Sequence, residues 1–192
     1  IMLGTRLIKA NQLDVVIAGG VDALTRFTLN GFNSLMILDK NQCKPLDQDR
    51  QGLNLGEGAA YVLLLNKKAL TFLGLSSSVV VSGYSNSNDS YHQTALSDDG
   101  QGPFLAMQGA IKKANILPGQ IDYINMHGTG TQNNDQAESQ AVKNLFQDNI
   151  PPLSSTKSFT GHTLGASGAV EAVISVLAIQ HHFIPPNYHF NS

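Results

Sequence analysis

The chain has 192 residues, 42% of them hydrophobic and 14% charged, with a formal net charge of -2. That length suits one globular unit with a substantial core, and the apolar content is too high for a disordered chain and too interrupted by glycine and polar residues for a membrane protein, with no run of spanning length. The charge offers neither a basic field for a nucleic-acid backbone nor a polybasic segment for an anionic bilayer, so neither partner is expected.

From Ile1 to Ala10 the sequence reads as helix, with no Ser, Thr, Asp or Asn ahead to cap it, so its start is expected upstream. Asp14 to Gly20 is a continuous apolar run ended by glycines, the pattern of a strand buried on both faces. Ala59 to Leu65 is a second such run, and the stretch between reads as loop with one short helix near Asn33 to Leu38; long loops often carry function. The only cysteine, Cys43, lies in that loop. It excludes an intramolecular disulfide, and with no secretory signal at the start a reducing cytoplasm is the expected setting.

Val79 to Tyr84 predicts a third strand, then a polar loop from Ser85 to Gly100 and a helix from Pro103 to Ala114, with Phe104, Met107 and Ile111 near helical spacing. Tyr123 to Met126 is a short strand leading through His127-Gly-Thr-Gly-Thr131 into a helix over Gln136 to Phe146, capped by Asn134 or Asp135. Leu153 to Ser155 is a further strand. After the glycine-rich turn Thr160 to Gly168, the segment Ala169 to Gln180 is apolar all round, which predicts a helix buried within the protein, ended by Pro185 and Pro186. Strands alternating with helices predict an α/β fold with a largely parallel sheet, its chemistry gathered in loops at the strands' carboxyl ends. No strand follows the last helix, so the sheet is expected to be incomplete at both ends.

Two glycine-rich turns each hold a histidine after a strand: His127 to Thr131, and Lys157 to Gly168 with His162. Glycines there let backbone amides approach a bound group, and two imidazole N–H groups could share one oxyanion. A dinucleotide site is disfavoured because Asn133 stands where the fingerprint needs glycine, and no phosphate-binding Gly-x-x-x-x-Gly-Lys-Ser/Thr motif occurs. His127, Asp135, His162 and Glu171 lack the short spacing of a metal motif, so no metal is expected. His181, His182, His189 and His92 read as solvated or hydrogen-bonded residues. Cys43 has no strand-to-helix elbow or helix N-terminus to lower its pKa and reads as a bystander thiol.

These segments resemble the condensing enzymes of the thiolase-like fold, most closely β-ketoacyl-acyl carrier protein synthases. The resemblance runs nearly end to end and is carried by Ile17-Ala-Gly-Gly20, Cys43-Lys-Pro-Leu-Asp-Gln-Asp-Arg50 with Gly56-Glu-Gly-Ala59, His127-Gly-Thr-Gly-Thr131, Lys157-Ser-Phe-Thr-Gly-His162, Gly165-Ala-Ser-Gly168 and Glu171. It implies a layered α/β/α architecture, with residues 1–66 as the remainder of an N-terminal half and 67–192 as most of a C-terminal half. It also implies a cysteine nucleophile a few residues before Ile1 that takes an acyl chain from a carrier protein, and condensation with a malonyl unit after loss of carbon dioxide.

By the same resemblance His127 and His162 stabilise the enolate oxygen and Lys157 organises them, with Asp135 and Glu171 in the surrounding network. Thr129 and Thr131 hydrogen-bond the phosphopantetheine arm, which arrives on the acyl carrier protein; no resident cofactor is expected. A homodimer is expected at full length, and this chain alone is expected to be inactive. The chain ends before the family's Gly-Phe-Gly-Gly loop, and Asn134 replaces a frequent glycine. A non-catalytic partner resembling chain-length factors is the alternative, disfavoured by retention of both histidines and Lys157. A thiolase-like degradative enzyme is disfavoured because no second cysteine is suitably placed.

Overall fold

The computed structural model describes every residue except Ser78, Gln93, Thr94, Asn191 and Ser192. In chain order its elements are α1 (Met2–Lys9), β1 (Val15–Asp22), α2 (Arg26–Ser34), β2 (Gly58–Leu65), α3 (Lys67–Phe72), α4 (Gln101–Ala114), β3 (Ile124–Asn125), α5 (Gln132–Phe146), β4 (Leu153–Ser154), α6 (Lys157–Thr160) and α7 (Ser167–His181). They pack as two units: Ile1–Ala23 with Glu57–Val81 and Thr163–Phe183, and Leu24–Gly56 with Ser82–His162 and Ile184–Ser192. These units interleave along the chain.

In the first unit β1 and β2 pair antiparallel, from Val15 opposite Leu65 to Asp22 opposite Gly58. The expected parallel direction is not found in this ladder because its strands are joined by α2 and a long loop, so no single crossover helix imposes one. Val16, Ala18 and Gly20 share a face with Leu64, Val62 and Ala60, and α1 and α7 pack on the ladder. Glycines set the close approach: a side chain at Gly4 would meet Val16 Cγ1 at 2.8 Å, and one at Gly20 would run into Gly165 O. The opposite face is open, with Ile17 72% exposed and Val21, Tyr61 and Leu63 also exposed. The run that reads as buried on both faces is thus covered on one. Helix α7 is similarly only part-buried, sealed at Ala169 and Ala178 but exposed at Leu177 and Ile179. Contrary to the sequence reading, the stretch Leu164–His181 is long and apolar enough to cross a membrane by length and composition; Glu171 interrupts it and α7 packs on β1 and β2, as a core helix does.

In the second unit α2 starts earlier than expected, because Thr25 caps it: its Oγ1 accepts from Thr28 N–H at 3.1 Å. Helix α5 begins at Gln132 rather than Gln136, with Thr131 as its N-cap residue, so neither Asn134 nor Asp135 is the cap. Strands β3 and β4 pair in parallel, Ile124 with Leu153 and Asn125 with Ser154. Met126, Val142 and Phe146 form the buried core, packed by Met107 and Ile111 of α4 and by Leu46, Ile121, Ile124 and Leu153. Among the described residues Val79 to Tyr84 joins no ladder, although its sequence predicts a strand. Gln93 and Thr94 of the predicted polar loop lie outside the described residues.

Candidate active site

His127 and Ser155 follow the carboxyl ends of the parallel pair β3 and β4, and α6 begins at Lys157. Short strands ending together deliver both glycine-rich turns to one place. The rings of His127 and His162 meet edge to face, with centroids 5.1 Å apart and planes at 82°. His162 is fixed by its backbone: its N–H donates to Asn54 O at 2.7 Å, and its carbonyl accepts from Gly56 N–H at 3.1 Å. Gly161, at φ 66, allows this approach, since a Cβ there would lie 2.9 Å from Gly56 N.

Lys157 is buried, and its Nζ lies 3.3 Å from His127 Nδ1 and donates to His127 O at 2.7 Å. An ammonium only donates, so Nδ1 accepts and the neutral ring carries its proton on Nε2. Although His127 keeps exposed surface, protein crowds its ring. Burial first, then the Lys157 cation, then His162, push its pKa down to about 3. At neutral pH the ring is therefore a neutral N–H donor.

Beneath the histidines the turn is held by two carboxylates. Asp135, 1% exposed, accepts from Thr129 N–H at 3.0 Å, from Gly130 N–H at 3.1 Å and from Leu46 N–H at 2.7 Å, with Arg50 Nε 3.8 Å away. Glu138 accepts from His127 N–H at 2.6 Å and Gly128 N–H at 2.8 Å. Burial raises the Glu138 pKa against the opposing pull of these amides. Sequence reading passed over Glu138; its signal was an acidic pair three residues apart on one helix face after a glycine turn. Thr129 and Thr131 are joined through their hydroxyls at 2.9 Å. Thr131 also lines a 740 Å³ groove with Met36, Gln51, Asn88 and His92.

The turns thus bring together His127, His162, Lys157, Asp135, Thr129 and Thr131 within one unit. Glu171 belongs to the other unit, half-buried on α7. Cys43 is buried, with its N–H on Asn54 Oδ1 at 2.7 Å, and burial pushes its thiol pKa up, which suits an inert residue. His189 Nε2 pairs with Gln42 Oε1 at 2.6 Å, while His181 and His182 are exposed. Among the described residues no three His, Cys, Asp or Glu side chains are grouped to hold a metal ion.

Residues 78–191 match the family described as Beta-ketoacyl synthase, C-terminal domain, and residues 1–69 match its N-terminal domain. The chain belongs to the β-ketoacyl synthase family. It is 39% identical to 3-oxoacyl-acyl-carrier-protein synthase 2 of Rhizobium meliloti over 98% of its own length and 47% of that protein's. Among solved structures it is similar to the ishigamide ketosynthase/chain length factor, at TM-score 0.94 and 33% identity over 99% of this chain and 47% of that one. It is also similar to the type II acyl-carrier protein and ketosynthase complex AntDE:AntF, bound to the hexaketide, at TM-score 0.93 and 29% identity, covering 99% of this chain and 50% of that one. The chain spans about half the length of the curated relatives it matches. Its thiolase-like α/β fold is the one these ketosynthases share.

Proposed function

We propose that the full-length protein is a decarboxylating β-ketoacyl-acyl carrier protein synthase, joining an acyl thioester to a malonyl unit on a carrier protein. The observation that carries this reading is the edge-to-face approach of His127 and His162, with Lys157 against the first ring. When the malonyl C–C bond breaks, carbon dioxide leaves and its electron pair forms an enolate. His127 Nε2–H and an N–H of His162 would hold the enolate oxygen, where preorganised donors contribute most. The enolate carbon then attacks the carbonyl of the acyl thioester, its C–S bond breaks, and the thiolate that carried the acyl group leaves.

Lys157 fixes the His127 tautomer, and Asp135 holds the turn's amides. Thr129 and Thr131 receive the phosphopantetheine arm, which enters by the adjoining groove as substrate rather than as resident cofactor. We read residues 1–66 and 67–192 as parts of the two family halves, in keeping with the matches at 1–69 and 78–191. The complete protein acts as a cytoplasmic homodimer with acyl carrier protein as its partner. The alternative of a chain-length-factor-like subunit is separated by one experiment. Carbon dioxide release from malonyl carrier protein is measured with the full-length protein, in which His127→Ala or His162→Ala is expected to suppress it. Wild-type rates in both variants would refute the assigned roles.

A further inference from the structure

Ser155 is fully buried between the turn that carries His127 and the turn that carries Lys157. Its Oγ donates to Gly128 O at 2.6 Å and accepts from Lys157 N–H at 3.2 Å. Its own N–H donates to Asn187 Oδ1 at 3.2 Å, and Asn187 Nδ2 donates onward to Pro45 O at 2.7 Å. Gly128 directly follows His127. One hydroxyl therefore clamps both backbone ends of the Lys157–His127 contact, and one amide anchors that clamp to the loop at Pro45.

A lysine ammonium sits at the end of a flexible stem, so a 3.3 Å contact with His127 Nδ1 persists only if both backbones are held. We infer that Ser155 and Asn187 are positioning residues that fix Lys157 against the His127 ring. Neither is required to touch substrate. The catalytic half of this inference rests on the proposed condensing activity; the geometric half does not. The charged and titratable groups around His127 are Lys157 and His162 from α6 and the turn after it, and Glu138 and Asp135 from α5. The two carboxylates keep their own amide bonds when the clamp is cut, so the distance of the Lys157 ammonium from the ring is what changes. A cation drifting from the ring makes His127 easier to protonate.

The test uses full-length protein with labelled histidines, comparing wild type with Ser155→Ala, Ser155→Thr and Asn187→Ala. Nuclear magnetic resonance follows the His127 titration without substrate, and steady-state kinetics follow malonyl decarboxylation. Both alanine variants are expected to raise the His127 midpoint and to lower kcat about tenfold with little change in KM, while Ser155→Thr, which keeps the hydroxyl, restores both. An unchanged His127 midpoint in folded Asn187→Ala, or failure of that variant to fold, would assign these residues to stability alone and overturn the inference. If wild type releases no carbon dioxide, the condensing activity fails while the titration still judges the clamp.

Discussion

Replacing Asp135 by asparagine should loosen the turn that presents His127. The carboxylate serves Thr129 and Gly130 through Oδ1, and Gly130 and Leu46 through Oδ2. An amide keeps one acceptor. With its oxygen towards Thr129 and Gly130, its NH2 group faces Leu46 N–H, donor against donor. The lost charge-assisted bond accounts for about 1.5–3 kcal/mol, and the stranded Leu46 N–H for about 1–3 kcal/mol. Arg50, 3.8 Å from Oδ2, adds little because it keeps carbonyl partners in Asp47 and Gln132. The sum, about 2.5–6 kcal/mol, is a large fraction of ordinary domain stability. Hydrogen exchange of the full-length protein reads it directly, because the affected amides are known. Leu46, Thr129 and Gly130 should exchange roughly 70- to 25,000-fold faster, provided they exchange by local opening. Unchanged protection at all three would show that Asp135 is not what holds the turn.

Gly130→Ala should cost about 2–4 kcal/mol, because a Cβ at φ 85 would lie 2.5 Å from Gly52 O and that backbone cannot swing aside cheaply. Its thermal midpoint should fall while that of Gly119→Ala, where a Cβ meets nothing within 4 Å, should barely move. In wild type, His127 should titrate near pH 3 rather than near 6.5. Between those values the unfolded chain binds a proton that the native ring refuses, so native stability falls as pH drops through that window and is unaffected by this group above it. A measured midpoint near 6.5 would contradict both the burial and the Lys157 contact.

Local chemistry was legible where the signal was local. Thr131, Gly128 and Gly130 follow an apolar strand, and that pattern alone identified a turn able to bring backbone amides and a histidine to a strand end. The apolar runs at Asp14 to Gly20 and Ala59 to Leu65 identified β1 and β2, yet their antiparallel pairing depends on how α2 and a long loop return the chain, which no single segment encodes. The short helix was misplaced at Asn33 to Leu38 because the Thr25 cap went unused.

The sequence by itself determined which residues could act: histidines flanked by glycines, a lysine before the second one, and hydroxyls beside the first. Only the tertiary structure decided that His127 and His162 meet, that Nδ1 of His127 accepts from Lys157, and that Glu138, Ser155 and Asn187 hold the arrangement. The physical reason is range. Strand, turn and cap preferences act over a few residues, whereas the bonds from Asp135 to Leu46 and from Asn187 to Pro45 join segments far apart in the chain, and only folding brings them within hydrogen-bond distance.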